Sequence, residues 1–439
     1  MNSPRMIGLL QRNQVKEEKY TILLVALSAC IGMFMPSSIY GIIDPRLTVL
    51  ACGILWVLAI LIGIVNGFSI SRIAIALFIL SALLLATFIS PFTEYTVGAL
   101  APYVLFTTVL SLTINMCRTT SSPNAIIVFE ALSLAIQAFG LSIVFGSDAG
   151  IHAASSLYQA FYSDLFEQMI LWYHKPITVF ASHSIAGFAY FAFLITHVKL
   201  FTITPSKPRR IFNAISIIIY LLFLVLLTSN TGFILFSAAG VWISYKLFVY
   251  GSRRAKVATW SLTMIATIGL LYGVAFIKVP FADIAVDTMT SSGGGFLGRY
   301  SGDARLQPTY NYLLEHPFRP IGITYSDQVI LGDNFIAEYV IRGSMPLYLG
   351  VLLASALFFK KNIQSRRVAI GFFLFFLISD MGYPLLTYYR ASAIIVLFIL
   401  VWNHCSMIET LGKDNTSKMR QIAVRRRPRF ISITEQPTP

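Results

Sequence analysis

Residues 211–229 read IFNAISIIIYLLFLVLLTS and carry no charged side chain. A helix of about 20 apolar residues crosses a hydrocarbon core of roughly 30 Å, and it satisfies all its backbone polar groups internally. Similar runs recur along the 439-residue chain. They are read as about twelve spans, at roughly 20–43, 46–66, 70–90, 96–116, 124–146, 177–198, 211–229, 231–250, 258–278, 335–359, 367–383 and 389–405. Of all residues, 56% are hydrophobic and 12% charged, against about 25% charged in a soluble domain. A membrane β-barrel would show alternating segments of about 10 residues instead. The expected fold class is all-α, a polytopic transmembrane helical bundle.

The formal net charge of +14 at first points to nucleic acid. The placement of the cations argues for topology instead. Arg5, Arg12, Lys16 and Lys19 precede the first span, and Arg72 and Arg118 lie two and four spans on. Lys199, Lys207, Arg209 and Arg210 follow, then Lys246, Arg253, Arg254 and Lys256, then Lys360, Lys361, Arg366 and Arg367. The tail from Lys413 is again basic, with Arg425, Arg426, Arg427 and Arg429. These groups fall in alternate inter-span segments. The positive-inside rule therefore puts both termini in the cytoplasm. The expected organisation is a cytoplasmic tail over 1–19, a single transmembrane domain over 20–412 and a basic cytoplasmic tail over 413–439. That tail is read as solvated, with contact to anionic lipid as the alternative. No cleavable signal peptide is expected, because the first apolar run is too long for a signal core. Cys30, Cys52, Cys117 and Cys405 lie in or beside spans, so no outer-loop disulfide is expected.

Two outer segments stand out. In 147–176, Leu157, Phe161, Leu165 and Phe166 recur at helical spacing, with Asp164, Glu167 and Gln168 opposite. That pattern predicts an amphipathic helix, either lying on the leaflet as the roof of a cavity or packed on the bundle. Trp172 and Tyr173 suit the interface. The second segment, 279–334, is the one large polar break in the chain. It holds Arg299, Asp303, Arg305, His316, Arg319, Asp327 and Asp333, and Lys278 stands at its head. A helix is predicted from Asp303 to His316 and ends at Pro317. The glycines at 293–295 lack the strand and helix of a nucleotide loop and read as a lid or linker. No metal-ligand spacing and no cofactor motif is present.

The order of residues here resembles a known family. Arg305, Glu315-His316-Pro317-Phe318, Ile321-Gly322-Ile323, Asp333-Asn334-Phe335 and Gly343 follow one another. This resembles the O-antigen polymerase (Wzy) and O-antigen ligase superfamily of membrane glycosyltransferases. Lys175-Pro176 with Phe180, Ser182-His183 and Gly187 is similar to the segment that opens the preceding half of that bundle. The resemblance covers roughly 170–360, and the remaining spans match in hydropathy only. There are two departures. Asp333 stands where ligases carry His, which favours a polymerase. Ser229-Asn230-Thr231-Gly232 lacks an expected Arg.

The resemblance implies a donor glycan on undecaprenyl diphosphate and an acceptor sugar hydroxyl, in a bacterial inner membrane with the active face in the periplasm. It implies no cofactor, and it leaves room for a chain-length regulator as a partner. The departing diphosphate needs cations, and the planar fork of Arg binds phosphate oxygens in pairs. Arg305 is the first candidate, followed by Arg319, Arg299, Lys278 and Lys175. These arginines pairing with Asp303, Asp327 or lipid phosphates is the competing reading. A general base for the hydroxyl is Asp333 or His316. Nearby arginines would lower the Asp333 pKa, which suits it to positioning the acceptor; His316 needs no shift, but a His before Pro can be a helix cap. Asn334 neighbours the base. Glu338 and Arg342, four residues apart, form either a cavity wall or a helix-locking pair. Arg390 at the outer end of the last span is the remaining candidate. A ligase acting on lipid A-core is one alternative function. A transporter of lipid-linked sugar is the other, and it would show internal repeats and broken spans, which are not evident.

Overall fold

A computed structural model describes residues 123–158, 170–171, 174–180, 183–227, 349, 352–353, 355–380, 395 and 397–409, with isolated positions between 235 and 245. Among these residues all regular structure is helical. The elements are α1 (Pro123–Val144), α2 (Asp148–Tyr158), α3 (His183–Ile203), α4 (Lys207–Leu226), α5 (355–362), α6 (Arg366–Asp380) and α7 (Leu397–Glu409). Three are long and apolar enough to cross a membrane: Asn124–Val144, Ile185–Ile203 and Lys207–Leu226. The expected tails, the spans before 123 and the 279–334 segment lie outside the described residues, as does most of the expected amphipathic helix.

The distribution of polarity is that of a protein in lipid. On α4, Ile211, Ile215, Ile218 and Leu222 form an exposed apolar stripe, while Asn213, Ser216 and Tyr220 are buried. On α1, Ile127 and Leu134 face out while Ser133 and Gln137 face in. In water such stripes would be an aggregation liability. Against acyl chains they cost nothing, and Asn213, Tyr220, Ser133 and Gln137 find hydrogen-bond partners inside. Helix α3 is buried on almost every side from Ile185 to Leu194, as expected of a helix apolar all round at a bundle centre. It packs antiparallel against α4 and also against α6.

Helix boundaries depart from the apolar runs for local reasons. Helix α4 begins at Lys207, not 211, because Pro208 suits a first turn and Lys207, Arg209 and Arg210 can keep their charges at the surface. The expected span at 177–198 is displaced. Residues 174–180 are not helical, and α3 runs five residues beyond the expected end at 198, to Ile203. Thr178 sits at φ 52°, outside the helical region, and the Pro176 carbonyl that a helix would use accepts from the Tyr190 hydroxyl instead. Helices α5 and α7 likewise run past their expected ends, to 362 and Glu409.

The end of α1 is a Schellman turn. Ser147 N–H donates to Ser142 O at 2.8 Å and Gly146 N–H to Ile143 O at 2.9 Å, with Gly146 at φ 65°. A Cβ on Gly146 would lie 3.0 Å from the His174 ring. Gly146→Ala should therefore destabilise the protein by about 1 kcal/mol or more. A melting temperature in detergent equal to that of wild type would contradict this. Just beyond, α2 folds back so closely that a Cβ on Gly150 would collide with Ser142.

Candidate functional site

Of the candidate site residues, Lys175 alone is described. Arg299, Arg305, His316, Arg319, Lys278, Asp333, Asn334, Glu338, Arg342 and Arg390 lie outside the described residues. Lys175 belongs to the irregular segment 174–180, which enters the bundle between α2 and α3. Pro176, Ile177, Thr178, Val179 and Phe180 are buried. Irregular backbone at depth survives only where protein satisfies it. The Tyr190 hydroxyl does so by donating to Pro176 O, and the Thr178 hydroxyl, 3.0 Å away, then donates to the Tyr190 oxygen. The His174 ring lies with Nδ1 3.0 Å from Ile143 O, so that nitrogen carries the proton and caps α1. The segment can come this close because Gly140 has no side chain. A Cβ there would strike the Phe223 ring and approach Thr178 Cγ2 at 3.3 Å.

Burial pushes the Lys175 ammonium below its ordinary range. Loss of water raises the energy of the charged form, and a nearby anion would reverse that. The unfolded chain then holds more protons than the folded chain between the lowered value and 10.5. Stability consequently rises with pH across that window. Melting curves of wild type and Lys175→Met in detergent should converge as pH rises towards 10.5. A stability difference independent of pH would contradict the shift.

A second polar assembly was not singled out from the sequence. It lies in the other half of the bundle and joins α1, α3 and α4. The Asn213 amide donates through Nδ2 to Arg209 O at 2.9 Å, which turns Oδ1 towards His197 Nδ1 at 2.6 Å. That ring nitrogen must therefore donate. In the neutral ring Nε2 accepts from the Ser133 hydroxyl at 2.7 Å. Ser133 Oγ in turn accepts from Gln137 Nε2 at 2.8 Å and from the Tyr220 hydroxyl at 2.8 Å, the latter shared with Ser133 O at 3.2 Å. The assembly is walled by Phe129, whose ring is 4.9 Å from that of His197, and by Phe193, stacked on Tyr220 at 5.3 Å. Each of these donors has an acceptor, so the assembly fixes the register of three helices and presents no reactive group. Towards the bundle end it meets Glu130, which lies 3.5 Å from Arg209 through Oε2, while its buried Oε1 has no hydrogen-bond partner among the described residues. Its signal was present in the sequence: Glu130, Ser133 and Gln137 are spaced by three and four, as are Arg209, Asn213, Ser216 and Tyr220.

One end of the bundle collects the ends of several helices. Lys199 of α3 pairs with Glu409 of α7 and lies 5.7 Å from the Trp402 ring centre. Asn403 of α7 clamps the α5–α6 turn, accepting from Gln364 N at 3.1 Å and donating to Asn362 O at 2.8 Å. Lys175, before the start of α3, belongs to the opposite end. Among the described residues no group of His, Cys, Asp and Glu could hold a metal ion. No protein-family model matches the chain and no curated protein matches it, so its function rests on its own residues.

Proposed function

We propose that the chain is a bacterial inner-membrane polysaccharide polymerase of the O-antigen type. The acceptor hydroxyl oxygen attacks the anomeric carbon of a glycan on undecaprenyl diphosphate, with inversion. The bond from that carbon to the diphosphate breaks, and the electron pair leaves with the diphosphate. The hydroxyl proton passes to Asp333 or His316. Arg305, aided by Arg299, Arg319, Lys278 and Lys175, stabilises the charge that grows on the leaving group. Asn334, Glu338, Arg342 and Arg390 line the same cavity. The protein has about twelve spans, both termini in the cytoplasm and its active face in the periplasm.

The observation that carries this reading is the order Arg305, His316-Pro317, Gly322, Asp333-Asn334 within the one long polar segment of a basic-inside membrane protein. Helix direction supports grouping Lys175 with that segment. Helix α5 ends at the turn clamped by Asn403, on the Lys199–Glu409 side. A span that begins after Asn334 and leads into α5 would start on the opposite side, where Lys175 is.

Deletion of the gene and electrophoresis of the lipopolysaccharide test the reading. Loss of the ladder with core plus one repeat retained is expected. Core alone, with long glycan still on the lipid carrier, would indicate a ligase. Single lipid-linked repeats trapped inside would indicate a transporter.

A further inference from the structure

The bundle end that gathers Lys199, Arg367 and Glu409 also opens an apolar groove of about 640 Å³ between α3, α6 and α7. Phe191, Ile195 and Val198 form one wall and Gly371, Phe375 and Ile378 the other, with the charged groups at one end only. The wall of α3 from Phe191 to Thr202 measures about 16 Å at about 1.5 Å per residue. That is the depth of one leaflet of a roughly 30 Å hydrocarbon core. The groove is open at its middle, where a Cβ on Gly371 would meet no atom within 4 Å. Glycine inside a helix is unfavourable relative to alanine, and no neighbour here demands it.

The mouth of the groove is positive. Glu409 is taken up by Lys199, which leaves Arg367 as an added cation. Lys360, Lys361 and Arg366 flank the same turn, and no carboxylate occurs in 360–367. Trp402, whose Nε1 donates to the buried Thr196 hydroxyl at 2.9 Å, lies under Lys199 and closes that end of the groove. Basic pockets between spans on the cytoplasmic side suit anionic head groups.

We propose that this groove holds an acyl chain of an anionic phospholipid from the cytoplasmic leaflet, with Arg367 at its phosphate. The proposal depends on the membrane-spanning character of the bundle and on the inside placement of its cations, and not on the polymerase reading. The polyprenyl diphosphate of that reading would have its head group at the other end of the bundle.

The test uses the full chain in bilayers of equal phosphatidylglycerol and phosphatidylcholine, extracted gently and weighed by native mass spectrometry. Wild type is expected to retain phosphatidylglycerol in preference to phosphatidylcholine. Arg367→Gln should lower that ratio about fivefold, the effect of one cation near an anionic surface. Gly371→Leu should exclude the retained lipid while leaving the melting temperature in detergent unchanged or higher. Equal retention of the two lipids by wild type would overturn the proposal. So would a folded Gly371→Leu protein that retains phosphatidylglycerol as wild type does, or a polyprenyl diphosphate recovered in place of phospholipid.

Discussion

Arg305→Ala is expected to reduce polymer synthesis by roughly 10²–10³, the usual cost of removing one donor aimed at developing charge. The expectation follows from the position of Arg305 at the head of the motif and from the chemistry proposed. A diphosphate leaving from an anomeric carbon concentrates negative charge that only placed cations can offset. The guanidinium offers two parallel N–H donors in one plane, so Arg305→Lys should recover only part of the loss. The measurement is chain length made from a lipid-linked repeat by membranes with equal amounts of wild-type or variant protein. Full-length glycan from a normally expressed Arg305→Ala protein would remove Arg305 from the site. The same assay separates the two candidate bases. Asp333→Asn keeps a hydrogen-bond acceptor but cannot take a proton, so a base at this position predicts a deep loss. A positioning role predicts a mild one.

His197→Ala should destabilise the protein by about 3 kcal/mol, without any direct part in transfer. The substitution deletes a ring packed against Phe129 and Tyr220. It also leaves the Ser133 hydroxyl without its acceptor and Asn213 Oδ1 without its donor. Each orphaned buried group costs about 1–3 kcal/mol in water-soluble proteins. Hydrogen bonds between membrane helices average nearer 0.6 kcal/mol, because the separated helices also find partners. The lower end of the range is therefore used for the polar part, and loss of packing supplies the rest. Reversible unfolding in mixed micelles reads the total, and a change below about 1 kcal/mol would show that the assembly does not hold the helices. A double-mutant cycle with Asn213→Ala should give a coupling energy of about 0.5–1.7 kcal/mol.

Legibility of the fold differed by element. Helix α4 was plain because nineteen successive uncharged residues can hardly do anything but cross. Its start was misplaced by four residues, since Lys207, Arg209 and Arg210 read as loop although their long stems allow a helix to carry them at its end. The non-helical stretch at 177–180 was missed because Ile177, Val179 and Phe180 are as apolar as any span. What keeps them out of a helix is Thr178 at φ 52° together with the Tyr190 hydroxyl, which takes the Pro176 carbonyl from fourteen positions along the chain. Lys175 was legible as a cation near the end of a span, but its loss of water was not, because burial depends on what packs over it.

The chain alone determines which stretches are apolar enough to cross a bilayer, where its cations fall between them, and which polar and charged residues share one long polar segment. Those are one-dimensional properties, set by transfer free energy and charge counting along the backbone. Only the tertiary structure decides that Ser133, His197, Asn213 and Tyr220 meet across three helices, and that a leaflet-deep groove remains between α3 and α6. Hydropathy does not record which face of one helix meets which face of another. Side-chain volume, the absent side chains at Gly140 and Gly371, and the hydrogen bonds among Ser133, His197, Asn213 and Tyr220 settle that.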